Sequence, residues 1–317
     1  MTWVASTRDE QREQLGRFLL GTGNIGGIAS QTGPGIGLSE SEGLALIDHA
    51  VAAGITTIDT ADVYAGGVSE RVVGRWSSAH PEQSVLIQTK TGATPSGPDL
   101  SPERVRRQLT RSIDILGRVD LYIAHRLDPH TPWADSLPVF SDAVQTGTIR
   151  AYGLSNVDGK ALEAALETAD RLGLVRPELV QNSYSLLERS DDDHVLPVVK
   201  AEGLAYTPFS PLANGLLAGR YSNGERPAAG SRASVASRSA DWLDQPAVVK
   251  KLRAFDRVAA EHHITSAGLA LAWLYNHPVV TAPIISVSKS SQWQAIDEAA
   301  TMPWTPPVQD AVNSLFE

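Results

Sequence analysis

The 317-residue sequence predicts one α/β domain over residues 1–317, a closed (β/α)8 barrel of the TIM type with long loops at about 23–38 and 213–244. Three observations carry this expectation. Short apolar runs alternate with stretches of helical spacing from end to end, and there are eight of them, the count that closes a barrel. Three consecutive runs each finish in an ionisable residue, Asp59, Lys90 and His125, as barrel strands do when they deliver a site to one rim. Both long irregular segments follow a run, which sets them over that same rim.

The runs fall at 17–22, 56–60, 85–90, 121–125, 149–155, 179–182, 204–209 and 283–287. Each is a continuous or period-2 apolar stretch of strand length. Between the first two, residues 39–53 place Leu44, Ile47, Ala50 and Val51 on one stripe, the spacing of an amphipathic helix. Ser101 before Pro102 sets an N-cap and a first helical residue, for a helix that runs to Leu116. Gly117 ends it, and Gly54 and Gly173 likewise follow helices. The first long segment is Gly-rich and the second is rich in Gly, Ser, Ala and Arg, and loops of that length are more often lids or disordered than framework.

Composition narrows the partners. With 42% apolar and 20% charged residues the chain reads as an ordinary soluble protein. A formal charge of −9 argues against nucleic acid or an anionic membrane as main partner. The absence of Cys removes disulfides, thiolate nucleophiles and zinc–thiolate centres; no metal is expected, and the location expected is cytoplasmic. Met1 to Gln14 is polar, unlike a signal peptide, and no stretch reaches the ~20 apolar residues that span a bilayer.

One glycine motif invites a different fold. Gly21-Thr22-Gly23-Asn24-Ile25-Gly26 satisfies G-x-G-x-x-G after a predicted strand, but a dinucleotide-binding βαβ unit needs a helix opening at Gly26. Gly27, Gly33, Pro34 and Gly35 follow instead, and helical spacing waits until Ser39. The motif reads as a barrel loop.

Asp59, Lys90 and His125 at successive strand ends, with Tyr64 in the turn after the second strand, make an acid–base constellation. A phenol holds its proton at neutral pH, an ammonium beside it eases release of that proton, and a carboxylate keeps the amine charged and placed. A histidine can orient a substrate oxygen. Such a set suits a reaction in which a carbonyl oxygen becomes a hydroxyl while hydride arrives at carbon. Singly, each residue has a structural explanation; at the same end of strands two, three and four they are unlikely to coincide by chance.

At this point the sequence resembles the aldo-keto reductase superfamily. The likeness rests on Ile58-Asp59-Thr60-Ala61-Asp62-Val63-Tyr64, then Ser69-Glu70, Gly74 and Thr89-Lys90, and on the run from Asp120 through His125 to Pro129. It continues in Gly153-Leu154-Ser155-Asn156, Gln181-Asn182-Ser183-Tyr184 and Phe209-Ser210-Pro211-Leu212, in order along nearly the whole chain. The resemblance implies a tetrad of Asp59, Tyr64, Lys90 and His125, with Tyr64 as general acid. It implies NADPH, with NADH as the other candidate. Ser155, Asn156 and Gln181 would hold the carboxamide, Phe209 would stack on the nicotinamide, and Ser210 and Leu212 would cover the pyrophosphate. Ser288 and Lys289 would grip the adenosine 2′-phosphate, where Gln292 stands for an arginine that many relatives use. Residues 213–244, with Gly215, Gly219, Gly224 and Gly230 and four arginines, are expected to cover the dinucleotide.

The substrate is a small carbonyl compound. Gly23-Asn24 in place of an aromatic residue suggests a roomier or more polar pocket, for which Trp76, Trp133 and Trp242 are candidate walls; the chain ends soon after Trp304, without an extended substrate loop. Two alternatives stand beside carbonyl reduction: a dinucleotide-binding redox-sensing or regulatory subunit with slow turnover, and an NAD-dependent sugar or alcohol dehydrogenase on the same fold.

Overall fold

A computed structural model describes residues 3–29, 31–33, 36–228 and 231–317. Pro34, Gly35 and Gly230, named above for their loops, lie outside the described residues. Eight parallel strands form one sheet: β1 (Leu19–Gly21), β2 (Thr57–Asp59), β3 (Leu86–Thr91), β4 (Leu121–Ala124), β5 (Ala151–Ser155), β6 (Leu179–Gln181), β7 (Ala205–Tyr206) and β8 (Ile284–Ile285). Seven of them lie inside an expected run and are shorter than it, whereas β3 matches its run in length and is shifted one residue, to end at Thr91. Strand β8 pairs with β1 through Leu19↔Ile284, and from there the order follows the sequence to β7. The seam between β7 and β8 is joined by Thr281 N–H donating to Tyr206 O and Ile284 N–H to Pro208 O, both at 2.8 Å. Those two bonds close the barrel.

Alternate residues of each strand face two different cores. Leu19, Leu121, Ala151, Leu179, Ala205, Ala282 and Ile284 pack inside the barrel. Leu20, Ile58, Ile87, Tyr122, Tyr152, Val180 and Tyr206 pack outward under the helices. Those helices are α2 (Glu40–Ala52), α3 (Val68–Ala79), α4 (Pro102–Leu116), α5 (Trp133–Gln145), α6 (Gly159–Leu172), α7 (Leu196–Glu202), α10 (Pro246–Glu261), α11 (Ser266–Asn276), α12 (Trp293–Thr301) and α13 (Pro306–Phe316). Ser39 caps α2 in a reciprocal box, accepting from Glu42 N while its own N–H donates to Glu42 Oε2 at 2.8 Å. Ser101 differs from expectation: α4 begins at Pro102, but the Ser101 side chain makes no cap bond, and its N–H donates to Asp99 Oδ1 at 3.0 Å. None of the described helices is long and apolar enough to cross a membrane.

The polar N-terminus holds a helix that the apolar pattern does not announce, α1 (Arg8–Leu15). With Val4 and Leu15 it plugs the floor of the barrel. The Arg12 guanidinium donates to Thr281 O at 2.7 Å, Tyr275 O at 2.5 Å and Val280 O at 3.2 Å. Glu178, just before β6, accepts from the backbone N–H groups of Trp3 and Val4. At the opposite end, the segment after β7 carries a 3-10 turn (Ala213–Ala218) and two short helices, α8 (Arg232–Val235) and α9 (Ser237–Leu243).

Candidate active site

Asp59 is the last residue of β2 and points into the barrel top. Its Oδ2 meets Lys90 Nζ at 2.7 Å, and its Oδ1 accepts from Gln88 Nε2 at 2.6 Å and Gln181 Nε2 at 3.3 Å. Lys90 on β3 is 1% exposed. Besides Asp59, its ammonium donates to Thr60 O at 2.8 Å and Tyr64 Oη at 3.2 Å, which uses all its N–H groups. Burial opposes the charge, but the Asp59 carboxylate and then Tyr64 outweigh it, so the Lys90 pKa lies above its ordinary value. Lys90 is a held cation.

Tyr64 opens a 3-10 turn (Tyr64–Gly67) that reverses the chain after β2. Ala65 and Gly66 lie there at φ 48° and 62°, and Ala65 N–H donates to Ala29 O at 2.7 Å, tying the turn to the loop after β1. The phenol therefore returns over the strand ends. Gly23 backs onto its ring, where an added Cβ would meet Cε2 at 3.4 Å. Asn24 donates to Val287 O at 3.0 Å and so fastens the β1 loop to the end of β8.

His125 follows β4 and meets Tyr64 edge to face, with ring centroids 5.8 Å apart. Its Nδ1 is buried without a partner among the described residues. Burial, then the positive charges of Lys90 and Arg126, hold its pKa well below the ordinary histidine value. The imidazole is neutral at neutral pH and can donate one hydrogen bond to a substrate oxygen.

The other expected site residues surround this group in two places. Asn156, at φ 55°, donates through Nδ2 to His125 O at 2.8 Å and to Ser155 Oγ at 3.0 Å, beside Gln181. Phe209 follows β7 half-buried against the inner core, and Ser210 and Leu212 lead into the 3-10 turn. Ser288, Lys289 and Gln292 form a separate turn beyond β8, where Gln292 Oε1 accepts from Ser288 N at 2.7 Å and Lys289 N at 3.0 Å. Trp76 and Trp133 are not pocket walls. Trp76 is buried and donates to Asp48 on α2, and Trp133 donates to Ala161 O on α6, because indoles at those helix positions face neighbouring helices. Trp242 packs on the outer core with Arg238 over its ring.

Behind the tetrad lies a cluster that the sequence reading passed over. Asp62 Oδ2 accepts from Thr91 Oγ1 at 3.2 Å and pairs with Arg104 of α4 at 3.3 Å, while Glu70 Oε1 accepts from Thr89 at 2.7 Å and Ser112 at 2.9 Å. Burial, then the like charge of Glu70, pushes Asp62 up to about 7 against the pull of Arg104. Gln88 carried a usable signal: it stands two residues before Lys90 on one strand and must share its face. Arg104 carried none.

Comparison with known proteins agrees with this geometry. The family model described as Aldo/keto reductase family matches residues 19–316. An uncharacterized oxidoreductase of Bacillus subtilis strain 168, YrpG, is 28% identical over 96% of this chain and 93% of its own length. An NADH-specific methylglyoxal reductase of Escherichia coli K12 is 29% identical over 82% of each chain. Among solved structures, the glycerol dehydrogenase AKR11B4 from Gluconobacter oxydans superposes with a TM-score of 0.81 at 25% identity, covering 95% of this chain and 91% of that one.

Proposed function

The chain belongs to the aldo/keto reductase family and is an oxidoreductase that reduces carbonyl compounds with a nicotinamide cofactor; we propose that Tyr64 supplies the proton and that NADPH is the preferred dinucleotide. The observation that carries the first part is Lys90 bridging Asp59 and the Tyr64 oxygen beside a neutral His125. A substrate carbonyl oxygen lodges between the phenol and the imidazole. As Tyr64 gives up its proton, the ammonium 3.2 Å away stabilises the charge left on Oη. Asp59 holds that ammonium charged and in place. His125 donates a second hydrogen bond and orients the carbonyl. Proton donation of this kind contributes ~10²–10⁴-fold to rate.

The residues fit the cofactor. The half-buried Phe209 ring offers a stacking face, and Ser155, Asn156 and Gln181 offer polar groups next to the tetrad. At the β8 turn the Gln292 amide oxygen takes the two backbone N–H groups that a phosphate oxygen would use, beside the exposed Lys289. Displacement of that amide by a 2′-phosphate is the proposed basis of NADPH preference. When bound, the dinucleotide supplies the hydride, which no side chain can.

Methylglyoxal, reduced by the Escherichia coli relative, is a first probe. Its reduction with NADPH and with NADH is followed through the nicotinamide absorbance, in the wild type and in Lys289→Ala. NADPH affinity should fall about tenfold or more and NADH affinity should hold, since a charge-assisted bond is worth ~1.5–3 kcal/mol. A wild type that prefers NADH would contradict the cofactor assignment.

A further inference from the structure

Asn182 follows Gln181 at the end of β6 and is buried, and the proton-transfer chemistry above gives it no part. The β5–β6 ladder ends where Asn156 N–H donates to Gln181 O at 3.3 Å, because Asn156 turns to φ 55° and leads its chain away. The Asn182 side chain carries the pairing one step further. Its Oδ1 accepts from Val157 N at 3.1 Å and its Nδ2 donates to Val157 O at 2.7 Å, so the amide takes both polar groups of one residue, as a neighbouring peptide would. On the other side, Asn182 O accepts from Phe209 N at 2.9 Å, and Phe209 O accepts from Tyr184 N at 3.2 Å. One residue thus fixes Ser155 and Asn156 by way of Val157, and fixes the main chain of Phe209.

Asn182 is itself held. Its Nδ2 also donates to Asp191 Oδ2 at 2.8 Å, and the same oxygen accepts from Tyr206 Oη of β7 at 2.6 Å. Asp191 is anchored at the start of α7, where its O accepts from Val195 N at 3.0 Å and Leu196 N at 2.9 Å. Asp191 and Tyr206 are buried, and among the described residues no cation pairs with that carboxylate. Burial raises the Asp191 pKa against the pull of its two side-chain bonds. A buried carboxylate without a cation costs stability, and apolar side chains could fill the same space. What it provides is direction. An ionised carboxylate only accepts, so it draws the Nδ2 end of the amide and leaves Oδ1 to face Val157 N.

We propose that Asn182, oriented by Asp191 and Tyr206, is a positioning residue that sets Ser155, Asn156 and the Phe209 ring at one fixed spacing. The nicotinamide ring is thereby held at the angle that hydride transfer to the carbonyl requires. The proposal rests on the reading that Ser155, Asn156 and Phe209 hold the nicotinamide. Asn182, Asp191 and Tyr206 take no part in bond making; they act through the groups that they place.

The test compares Asn182→Ala, Asp191→Asn, Asp191→Ala, Tyr206→Phe and Ser155→Ala with the wild type. In the cofactor-free protein, hydrogen exchange at the Val157 amide should accelerate in Asn182→Ala. With NADPH bound, the induced circular dichroism of the reduced nicotinamide should shrink in that variant, while the dissociation constant holds because the adenosine end is gripped elsewhere. Single-turnover reduction of methylglyoxal should slow about ten- to hundredfold, the effect of a misplacement near ~1 Å. Asp191→Ala should follow Asn182→Ala. Asp191→Asn keeps an oxygen that accepts the same two bonds and should stay near the wild type in dichroism and rate. Tyr206→Phe deletes one oxygen and should show the same dichroism loss at smaller amplitude, which keeps the test open if Asn182→Ala does not fold. Unchanged dichroism in Asn182→Ala and Tyr206→Phe would overturn the proposal, and so would a loss of unfolding stability alone. An Asp191→Asn variant as impaired as Asp191→Ala would also overturn it, since the bonds would then not be what matters. Ser155→Ala separates the two readings. If it alters the dichroism and Asn182→Ala does not, the positioning role alone fails; if neither alters it, the nicotinamide assignment fails as well.

Discussion

At the floor of the barrel, Arg12 gives its guanidinium to three backbone carbonyls and Glu178 accepts two backbone N–H groups. At the mouth, Lys90 and Asp59 are buried more completely than the half-buried Arg12, and their bonds lead into side chains, Tyr64, Gln88 and Gln181, that end at the cleft. Capacity is also left over there: among the described residues, His125 Nδ1, Asp62 Oδ1 and Asn24 Oδ1 are buried with no partner. Both ends bury polar groups, which costs stability unless they are bonded. The floor uses its charges to fix backbone, whereas the mouth links its charges to other side chains. In a barrel of this kind the first arrangement serves stability and the second serves chemistry.

The comparison breaks most visibly at Lys90. Lys90→Met leaves Asp59 buried and unpaired and removes the charge beside the Tyr64 oxygen. Stability should fall by ~3–5 kcal/mol in denaturant titration. Turnover per folded molecule should fall as well, and a variant that loses stability alone would make Lys90 a floor-type residue. The reciprocal case is Arg12→Ala. Burial lowers the Arg12 pKa to about 10, so the guanidinium is still charged at neutral pH, and its removal strands three carbonyls. A loss of ~1.5–3 kcal/mol is expected, with kcat per folded molecule unchanged; a matching loss of kcat would blur the two ends.

A smaller, pH-dependent effect sharpens the contrast within the mouth. Asp62 titrates at about 7 in the folded chain, above its ordinary value near ~3.9, with Glu70 and Arg104 as its charged neighbours. The folded state thus holds a proton that the unfolded chain has released. Its contribution to stability is full below the unfolded pKa and is lost as pH rises through about 7. Between pH ~5 and ~7, wild-type stability should fall more steeply than that of Asp62→Asn, by ~1.4 kcal/mol per pH unit. Parallel stability curves for the two proteins would remove Asp62 from the account.

The mouth was far more legible in the sequence than the floor. Strand ends that deliver Asp59, Lys90 and His125 obey a period of two and a constant polarity, both visible in a linear chain. Helix α1 obeys neither. Its two buried residues are Gln11 and Leu15, and its anchoring residue Arg12 bonds to carbonyls more than 260 positions away. The strands were read too long for a related reason: the apolar runs extend past the ladder, and β7 and β8 each pair over two residues before the chain turns to build the rim. Arg104, and with it the ion-paired role of Asp62, stayed illegible because a surface-type residue gains a role only from what the fold sets opposite it.

Tyr64→Phe tests the central claim most directly, since it removes one oxygen atom and keeps the ring. With carbonyl turnover, NADPH affinity and unfolding free energy measured on the same preparation, turnover should fall by ~10²–10⁴-fold. Cofactor affinity and stability should stay at their wild-type values. Wild-type turnover in Tyr64→Phe would contradict the claim that this phenol is the proton donor at the mouth.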